Sequence, residues 1–429
     1  MSESVSSFAA LGLSEYLLST LDRLNFSQPT SVQEQAIPLI LNGKDVLAGA
    51  QTGTGKTAAF GLPIIQRLAE TSEERDPFSK IIRSLVLVPT RELAQQVFDN
   101  LTTYAESSSL KIVVAYGGTS MNVQTKNLRG GADILVATPG RLLDHLFTRN
   151  IILSQTEVLV LDEADRMLDM GFMPDIQRIL KRMNEARQTL FFSATFDEKI
   201  KTLAHRMMAT DAAKIQVTPK NTTADTVKQM VYPVDKKRKS ELLAYLIGSK
   251  NWKQVLVFTK TKQGSDALVK ELKLDGIKAA SINGDKSQGA RQKALDDFKS
   301  GAVRALIATD VAARGLDIHQ LEQVVNYDLP YKAEDYIHRI GRTGRAGNEG
   351  LAVSLMSRDE AYLLEAIETL LDNRLPQEWL QGFEPSLVAD IEEETAPSRR
   401  NSRSAEKRKM KAKLQIHKNR GQSGRGRRS

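Results

Sequence analysis

The sequence predicts an α/β fold, and the spacing of its apolar runs is the main observation behind this prediction. Short runs rich in β-branched residues recur along the 429-residue chain without strict alternation, as expected for strands buried on both faces of a parallel sheet. Helical stretches separate these runs, which lie at 85–88, 134–137, 158–161, 190–192, 255–258, 305–308 and 324–327. The chain is also too long for one ordinary core, so we expect two domains.

The two halves resemble each other in local sequence, which indicates a duplicated domain. VLVPT at 86–90 corresponds to VLVFT at 255–259, and ILVAT at 134–138 corresponds to LIAT at 306–309. A polar stretch without an apolar period separates the halves, and we predict an interdomain linker there. The expected segments are an N-terminal segment at 1–36, a first domain at 37–214, the linker at 215–226, a second domain at 227–375, an acidic extension at 376–396 and a basic tail at 397–429.

The positive charge of the chain is concentrated in the basic tail. Residues 397–429 contain thirteen Lys or Arg and one Glu, so the tail carries +12 and the rest of the chain −4 of the net +8. A segment of this composition has almost nothing to bury, and we expect it to be disordered. The body is therefore mildly acidic, and the tail is the part suited to a polyanion.

The composition excludes several classes of site. The chain has no cysteine, which rules out disulfide scaffolds, thiolate metal sites and cysteine nucleophiles, and its five histidines lack metal-ligand spacing. No run reaches the ~18 uninterrupted apolar residues of a spanning helix, and the first residues lack the features of a secretory signal. We therefore expect a cytoplasmic protein without a membrane partner.

The segment AQTGTGKT matches a phosphate-binding P-loop, except that Ala50 replaces the first Gly. It follows an apolar segment and precedes a helical stretch, the order that the motif requires. Backbone N–H groups of the loop and the helix N-terminus would face an anion, Lys56 would reach the β and γ phosphates, and the Thr57 hydroxyl would bind Mg²⁺. The alternative is a glycine-rich turn that only caps a helix. The predicted ATP contacts are Ala50, Gln51, Thr52, Gly53, Thr54, Gly55, Lys56 and Thr57.

Two acidic residues follow the apolar run at 158–161. At the carboxyl end of a buried strand, Asp162 would bind Mg²⁺, mostly through water, and Glu163 would orient and deprotonate the water that attacks the γ phosphate. The alternative is a solvated acidic helix start. The four apolar residues before the acids favour the catalytic interpretation, because they place the acids at the exit of a buried strand.

The second half has no P-loop, and its HRIGRTGR segment at 338–345 indicates a different role. Planar guanidinium groups suit a phosphoryl group in its transition state. Arg342 and Arg345 would then be donated across a cleft to a nucleotide held by the first domain. The motif alone fits a basic surface turn equally well, and the presence of a nucleotide site in only one half favours the donated arginines.

Taken in order, the motifs resemble those of the DEAD-box ATP-dependent RNA helicases, and among them the bacterial RhlE-like subgroup, over residues 8–371. The set comprises FSQPTSVQ at 26–33 with Phe8 upstream, AQTGTGKT, PTRELA at 89–94, GG at 117–118, TPGR at 138–141, DEAD at 162–165, SAT at 193–195, VFTKT at 257–261, QGAR at 288–291, TDVAARGLD at 309–317 and HRIGRTGR. The chain departs from the family pattern at Asn25, where Gly is usual. The resemblance implies two tandem RecA-like parallel-sheet domains, the core of P-loop NTPases and helicases.

The resemblance also implies roles for individual residues. Gln33 would form hydrogen bonds with the edge of the adenine, and Phe8 would stack on the adenine ring. The other implied roles are nucleotide contacts for Phe26, Gly315 and Asp317; arginine fingers for Arg342 and Arg345; a link between nucleotide state and unwinding for Asp165, Ser193, Thr195 and His338; and contacts to the RNA sugar-phosphate backbone for Thr90, Arg91, Gly118, Thr138, Arg141, Arg291 and Thr309.

The implied activity is that of an RNA-dependent ATPase that uses ATP and Mg²⁺ and has structured or ribosomal RNA as its partner. The backbone-gripping residues are mostly hydroxyls, glycines and arginines, so we expect binding to be largely independent of base sequence. We also expect a monomeric core and a role in ribosome assembly or RNA turnover, with proteins of those pathways as partners. Rival functions are a DNA helicase or translocase on the same paired domains, and a non-enzymatic, ATP-locked RNA clamp.

Overall fold

Two parallel β-sheets, one in each half of the chain, form the framework of the computed structural model. The structure describes residues 7–50, 54–71, 76, 79–194, 198–216, 227–313, 316, 318, 321–344 and 350–386. The chain divides into two compact units, residues 1–379 with both sheets and residues 380–429. In the second unit, the described residues form a turn in which Phe383 N donates to Leu380 O at 2.9 Å.

The first sheet has seven described strands, and all neighbours are parallel. Its order is β3-β4-β2-β5-β6-β1-β7. The two outer strands, β3 and β7, are partly exposed, whereas the inner ones are buried along their whole length. The strands are β1 (Val46–Gly49), β2 (Ser84–Leu87), β3 (Ile112–Ala115), β4 (Ile134–Ala137), β5 (Val158–Leu161), β6 (Gln188–Ser193) and β7 (Ala213–Gln216).

The second sheet has six described strands, again all parallel, in the order β10-β11-β9-β12-β13-β8. This order repeats that of β1 to β6 in the first sheet, which supports the predicted duplication. The matched sequence segments lie on β2 and β9 and on β4 and β11. The strands are β8 (Val227–Pro233), β9 (Val255–Thr259), β10 (Ala279–Ile282), β11 (Ala305–Thr309), β12 (Gln323–Asn326) and β13 (Gly350–Met356).

Helices connect the strands of both sheets. In the first domain they are α1 (Glu15–Arg23), α2 (Ser31–Leu41), α3 (Lys56–Glu70), α4 (Arg91–Tyr104), α5 (Met121–Arg129), α6 (Pro139–Phe147), α7 (Ala164–Asp169), α8 (Met173–Leu180) and α9 (Glu198–Met207). In the second they are α10 (Lys239–Ser249), α11 (Lys262–Leu274), α12 (Gln288–Lys299), α13 (Asp310–Ala313), α14 (Ala333–Ile340) and α15 (Ala361–Leu371). Within the part of the chain that the structure describes, no helix is long and apolar enough to cross a membrane.

Apolar side chains fill both faces of the first sheet. Along β2, Val86 packs in a cluster with Phe60, whereas Leu85 and Leu87 pack in a second cluster with Phe191. Successive residues of a strand point to opposite faces, so the sheet is covered by helices on both sides. Burial of each such side chain contributes about 1.5–3 kcal/mol. This packing explains why the predicted strand runs are continuous and apolar.

The carboxyl ends of the parallel strands bring the predicted motifs to one edge of each sheet. At these edges, side-chain oxygens cap the N-termini of several helices. Thr90 accepts from Leu93 N at 3.3 Å before α4, and Thr261 accepts from Gly264 N at 2.9 Å before α11. These caps fix where each strand-to-helix loop ends and therefore where its functional side chains stand.

All seven predicted strand runs are confirmed as β2, β4, β5, β6, β9, β11 and β12. The segment boundaries stay predictions, and two facts bear on them. β7 ends at Gln216, inside the predicted linker, while residues 217–226 lie outside the described residues. Beyond 375, Val231 N donates to Pro376 O at 2.8 Å and Glu378 N donates to Val231 O at 2.9 Å, so the predicted acidic extension begins beside β8. The predicted disordered tail at 397–429 also lies outside the described residues.

Candidate functional site

The predicted P-loop connects β1 to α3. Ala50 N donates a hydrogen bond to Ser193 O at 2.9 Å, which ties the start of the loop to the end of β6. Gly55 precedes α3 with φ +89°, a conformation that favours glycine. The loop therefore ends in the geometry that lets a helix N-terminus face a ligand. Outside the described residues lie the predicted ATP contacts Gln51, Thr52 and Gly53.

Lys56, the first residue of α3, carries a buried ammonium group that has no hydrogen-bond partner among the described residues. Its side chain is 6% exposed, and Nζ lies 3.6 Å from Asp162 Oδ1, within ion-pair range but too far for a hydrogen bond. A buried cation without hydrogen bonds is costly. The arrangement therefore fits a ligand that brings anionic oxygens, such as a nucleotide phosphate.

The residues beside Lys56 also fit Mg²⁺. The Thr57 hydroxyl is half-buried and the Asp162 carboxylate is buried, and both are oxygen ligands of the kind that Mg²⁺ prefers. Across the described ranges, no group of three or more His, Cys, Asp or Glu could hold a metal ion. The Thr57 hydroxyl and the Asp162 carboxylate fit a magnesium ion whose other ligands would be phosphates and water.

The two predicted catalytic acids stand at the carboxyl end of β5. Glu163 N donates to Asp162 Oδ1 at 3.0 Å. Burial raises the pKa of Asp162, while the charge of Lys56 opposes this shift. Glu163 is 5% exposed and adopts φ +54° and ψ +50°, a left-handed conformation that is strained for a residue other than glycine. Strain of this kind concentrates at functional sites, where the surrounding structure holds it.

Asp165 links the acids to the end of β6. Its Oδ1 accepts a hydrogen bond from Ala194 N at 3.4 Å, and burial raises the pKa of its carboxyl. Ser193 is fully buried and holds the P-loop through its carbonyl. The DEAD and SAT motifs and the P-loop therefore form one hydrogen-bonded assembly. Of the other predicted coupling residues, His338 is half-buried on α14, and Thr195 lies outside the described residues.

The FSQPTSVQ segment docks on the P-loop through Gln33. Its Oε1 accepts from Thr30 N at 2.9 Å, and its Nε2 donates to Gly55 O at 3.1 Å. Thr30 Oγ1 donates to Thr54 O at 2.8 Å. A Cβ on Gly55 would lie 2.4 Å from Gln33 Nε2, so the close approach requires glycine. The structure thus gives Gln33 a role in holding the P-loop, and its adenine contact stays a prediction.

The two aromatic residues predicted to contact ATP differ in their surroundings. Phe8 is buried in the core of the first domain, whereas Phe26 is half-buried and packs edge-on against Tyr104 with ring centroids 6.4 Å apart. Asn25, the departure from the family pattern, adopts φ +58°. Asn tolerates this left-handed conformation better than other residues with a Cβ, so it can stand where the family usually has Gly.

In the second domain, Arg339 organises the HRIGRTGR segment. It is almost fully buried, and its Nε and Nη2 donate to the two carboxylate oxygens of Asp310 at 2.6 and 2.7 Å. Its Nη1 donates to Asn326 Oδ1 at 3.1 Å and to Asp328 O at 2.6 Å. The sequence alone assigns this residue no role. A clue to its role in the sequence is Asp310 of the TDVAARGLD motif, the acid with which Arg339 pairs.

The predicted arginine finger Arg342 is buried, and its Nη1 donates to Leu316 O at 3.0 Å. It follows α14 directly after the helix end at Gly341. A planar guanidinium group suits paired contacts to phosphate oxygens, and the contact of Arg342 to a nucleotide stays a prediction. Outside the described residues lie Arg345, Gly315 and Asp317, the other predicted contacts of this domain.

The predicted RNA contacts of the first domain lie at strand ends and in the GG turn. Gly118 has φ +84°, and a Cβ there would lie 2.0 Å from Arg91 Nη1, so the guanidinium rests directly on the turn. Arg141 Nη1 donates to Gln124 Oε1 at 2.9 Å and to Thr119 O at 3.2 Å. The predicted threonine contacts of this domain, Thr90 and Thr138, are buried where a strand leads into its loop, and Thr309 of the second domain is buried at the end of β11.

A buried histidine supports the Arg141 site. His145 Nε2 donates to Gln124 Oε1 at 3.1 Å, and His145 Nδ1 accepts from Asn150 Nδ2 at 3.1 Å, which requires the neutral ring. Burial, together with the charge of Arg141, lowers the pKa of His145 to about 4. The sequence alone assigns no role to this histidine, because its partner Gln124 lies on another helix, α5.

Arg291, a predicted RNA contact of the second domain, is paired with a residue of the first domain. Its Nη2 lies 2.7 Å from Glu92 Oε1, and its Nε donates to the same oxygen at 2.8 Å. Nη1 and Nη2 also donate to Asn283 O and Ala312 O, each at 3.4 Å. Most of its donors are thus used within the protein, and its contact to RNA stays a prediction.

Comparison with known proteins is consistent with this geometry. The DEAD/DEAH box helicase family model matches residues 30–203, and the helicase conserved C-terminal domain matches residues 238–347. The ATP-dependent RNA helicase CshA of Listeria monocytogenes is 41% identical over 368 residues, 86% of this chain and 69% of that protein. The DEAD-box ATP-dependent RNA helicase CshA of Bacillus subtilis is 42% identical over 361 residues, 84% of this chain and 72% of that protein.

Solved structures share the fold. Saccharomyces cerevisiae Dbp5 bound to RNA and ADP BeF3 is 31% identical with a TM-score of 0.78, covering 87% of this chain and 95% of that chain. Mss116p bound to single-stranded RNA and AMP-PNP is 29% identical with a TM-score of 0.79, covering 90% of this chain and 81% of that chain. Both domains are thus RecA-like. With both halves matched and relatives above 40% identical over most of its length, the chain belongs to the DEAD-box ATP-dependent RNA helicases.

Proposed function

We propose that this RNA-dependent ATPase grips the RNA sugar-phosphate backbone and separates short duplexes when ATP closes its two domains. The buried Lys56 ammonium is the observation that carries the proposal, since its Nζ has no hydrogen-bond partner in the described ranges and faces Asp162 at 3.6 Å. Anionic phosphate oxygens would satisfy this group and convert a costly buried charge into a binding contact.

Hydrolysis depends on residues from both domains. Lys56 holds the β and γ phosphates, Glu163 orients and deprotonates the attacking water, and Arg342 and Arg345 meet the charge that develops on the γ phosphate. Bound Mg²⁺, held through Thr57 and Asp162, would neutralise part of the phosphate charge. The left-handed backbone and the burial of Glu163 support this assignment, because strain of this kind concentrates at functional sites.

RNA binding would use residues at the carboxyl edges of both sheets. Arg91, Gly118 and Arg141 of the first domain are held by local contacts, and Thr309 stands at the end of β11. Hydroxyl, glycine and guanidinium groups contact phosphate and ribose rather than base edges, so binding would be largely independent of sequence. The hydrogen bonds that Arg141 donates to Gln124 and Thr119 support a preformed grip.

Coupling between ATP and RNA would pass through the SAT motif. Ser193 holds the P-loop through its carbonyl, and Asp165 accepts from Ala194 N in the same motif. A change in the P-loop on phosphate binding therefore acts directly on β6 and α7. Ser193, Thr195, Asp165 and His338 are the residues proposed to link nucleotide state to unwinding.

The cellular setting is also part of the proposal. Structured or ribosomal RNA in the cytoplasm would be the substrate, with ribosome assembly or RNA turnover as the process and proteins of those pathways as partners. The cysteine-free sequence suits a reducing compartment. The concentrated cationic tail suits a large polyanion such as folded RNA.

ATP hydrolysis measured with total RNA, with single-stranded DNA and without nucleic acid tests the proposal. The expected result is strong stimulation by RNA and little by DNA. Equal stimulation by DNA would favour the DNA helicase or translocase. Slow turnover together with long-lived RNA complexes would favour the ATP-locked clamp.

A further inference from the structure

Four charged side chains join α7 of the first domain to the start of α14 in the second. Arg166 Nη1 donates to Asp335 Oδ1 at 2.9 Å, and Lys332 Nζ lies 3.0 Å from Asp169 Oδ1. Arg166 Nη1 is also 3.6 Å from Asp169 Oδ2 within its own helix. We call these four residues the α7–α14 charge cluster.

The two ion pairs of the cluster differ in burial. The side chains of Arg166 and Asp335 are 7% and 15% exposed, whereas those of Asp169 and Lys332 are 31% and 61% exposed. Exposed pairs contribute little, but removal of one partner from a buried, hydrogen-bonded pair leaves a charge without compensation. The Arg166–Asp335 pair is therefore the energetically important one.

The cluster stands between the two halves of the proposed catalytic machinery. Arg166 directly follows Asp165, and its Nε lies 3.8 Å from Asp165 Oδ2. On the other side, Asp335 lies in the first turn of α14, and the arginine finger Arg342 follows directly after the end of the same helix. A shift of α14 against α7 would therefore move Arg342 relative to Glu163.

The arrangement of signs also selects one register between the helices. Each helix offers one cation and one anion three residues apart, and each cation meets the other helix's anion. A shift by one turn would place Arg166 beside Lys332, or Asp169 beside Asp335. Like charges brought together in this way disfavour the wrong arrangement.

We infer that the α7–α14 charge cluster is a positioning device that sets the domain register in which the arginine fingers meet the nucleotide. Arg166 and Asp335 act through α7 and α14 rather than by touching ATP or RNA. The inference deepens the proposed function and rests on it for the role of Arg342.

Interdomain fluorescence energy transfer tests the inference. The chain has no cysteine, so exposed Lys181 and Lys250 can be replaced by cysteine, one per domain, and labelled without background. Energy transfer is measured without ligand, with AMP-PNP, and with AMP-PNP plus single-stranded RNA. Turnover is measured with ATP, in the absence and in the presence of single-stranded RNA. The variants are Arg166→Ala, Asp335→Ala and the double variant. Arg23→Ala is the control, because it breaks an exposed pair with Glu106 inside the first domain.

We expect each single variant to lower RNA-stimulated kcat by at least about tenfold and to reduce the high-transfer population, with a smaller change in the KM for ATP. The double variant should fall no further than the worse single variant, because both remove the same contact. Arg23→Ala should match the wild type. Wild-type closure and turnover in the single variants, or independent losses that multiply in the double variant, would overturn the inference.

A charge exchange at the more exposed Asp169–Lys332 pair tests the cluster even if the variants of the buried pair do not fold. Asp169→Lys and Lys332→Asp should each reduce closure, and the double exchange should recover part of it; no recovery would count against the cluster. A wild type whose ATPase ignores RNA would contradict the proposed function instead. The coupling between Arg166 and Asp335 would still be decided by energy transfer with nucleotide alone.

Discussion

Lys56 Nζ and Asp162 Oδ1 face each other across 3.6 Å in a buried site at the head of α3, and the ammonium has no hydrogen-bond partner in the part of the chain that is described. The pair joins the P-loop to the DEAD motif. A buried, under-satisfied cation is retained where a ligand completes its contacts. We propose that ATP hydrolysis depends on that completion.

Replacement of Lys56 by Ala should nearly abolish ATP hydrolysis, because the contacts to the β and γ phosphates are lost. The fold should persist, since Nζ makes no hydrogen bond that other described parts of the structure need. Steady-state ATPase with saturating RNA measures the loss, and circular dichroism checks the fold. Turnover near the wild-type rate in a folded variant would contradict the P-loop assignment.

Glu163→Gln should separate binding from hydrolysis. The change keeps the size of the side chain but removes the base, so the variant should bind ATP and RNA while its turnover is almost lost. Equilibrium binding of a fluorescent ATP analogue, with and without RNA, measures the first property. If the variant fails to bind ATP, Glu163 holds the nucleotide and is not the base.

The arginine fingers should matter for turnover more than for affinity. Arg342→Ala and Arg345→Ala should each lower RNA-stimulated hydrolysis by up to ~10³-fold. ATP affinity without RNA should change less, because these residues meet the phosphates only on closure. The KM and kcat for ATP separate the two effects. A loss confined to KM would assign the arginines to ground-state binding.

His145 should make stability fall as the pH drops below neutrality. In the unfolded chain the ring has a pKa of 6.5, whereas burial and Arg141 lower the folded pKa to about 4. Between these two pKa values the unfolded state binds a proton that the folded state does not bind. The free energy of unfolding therefore falls from about pH 6.5 downward, by about 3 kcal/mol in total.

His145→Gln tests this linkage because Gln does not titrate. The variant should be less stable than the wild type at pH 7.5, and the gap should shrink by about 2–3 kcal/mol by pH 4.5. Urea unfolding of both proteins across this range gives the difference, in which the titration of the carboxylates cancels. A gap that stays constant with pH would mean that His145 does not resist protonation.

The basic tail should act as an RNA tether. If ~5 of its thirteen cations neutralise phosphates of a single strand, truncation before Pro397 should make the slope of log K against log salt shallower by ~3–4 units, at about 0.7 per contact. Basal ATPase without RNA should not change. RNA affinity at several salt concentrations decides the matter, and parallel lines for the two proteins would mean that the tail does not touch RNA.

The seven strands that the sequence predicts are buried along all or nearly all of their length, although β1, which is equally buried, is not among the predicted runs. Residues 158–161 of β5 form an unbroken apolar run because helices cover both sides. β8 was not predicted, because exposed Lys228 and half-buried Gln229 interrupt its apolar pattern. β7 alternates and lies at the sheet edge, so it also lacks a continuous run.

The candidate site also has a part that the sequence predicts and a part that it does not. The P-loop and the acids after β5 are local motifs whose chemistry follows from neighbouring residues. The Arg166–Asp335 and Glu92–Arg291 contacts join residues that are 169 and 199 positions apart in the chain. The sequence alone does not show which of its many charged residues form such distant pairs. The roles of Arg339 and His145 likewise depend on partners that only the folded chain brings together.

Strand separation on a short RNA duplex is the most direct measurement of the central claim that ATP-driven closure unwinds RNA. A duplex of about ten base pairs, with a trap for released strands, is mixed with the enzyme and ATP, with ADP, or with ATP and the Glu163→Gln variant. ATP-driven closure predicts rapid separation with ATP, none above the spontaneous rate with ADP, and no more than one turnover with the variant. Separation that is equally fast with ADP, or no separation with ATP while RNA still stimulates hydrolysis, would contradict it.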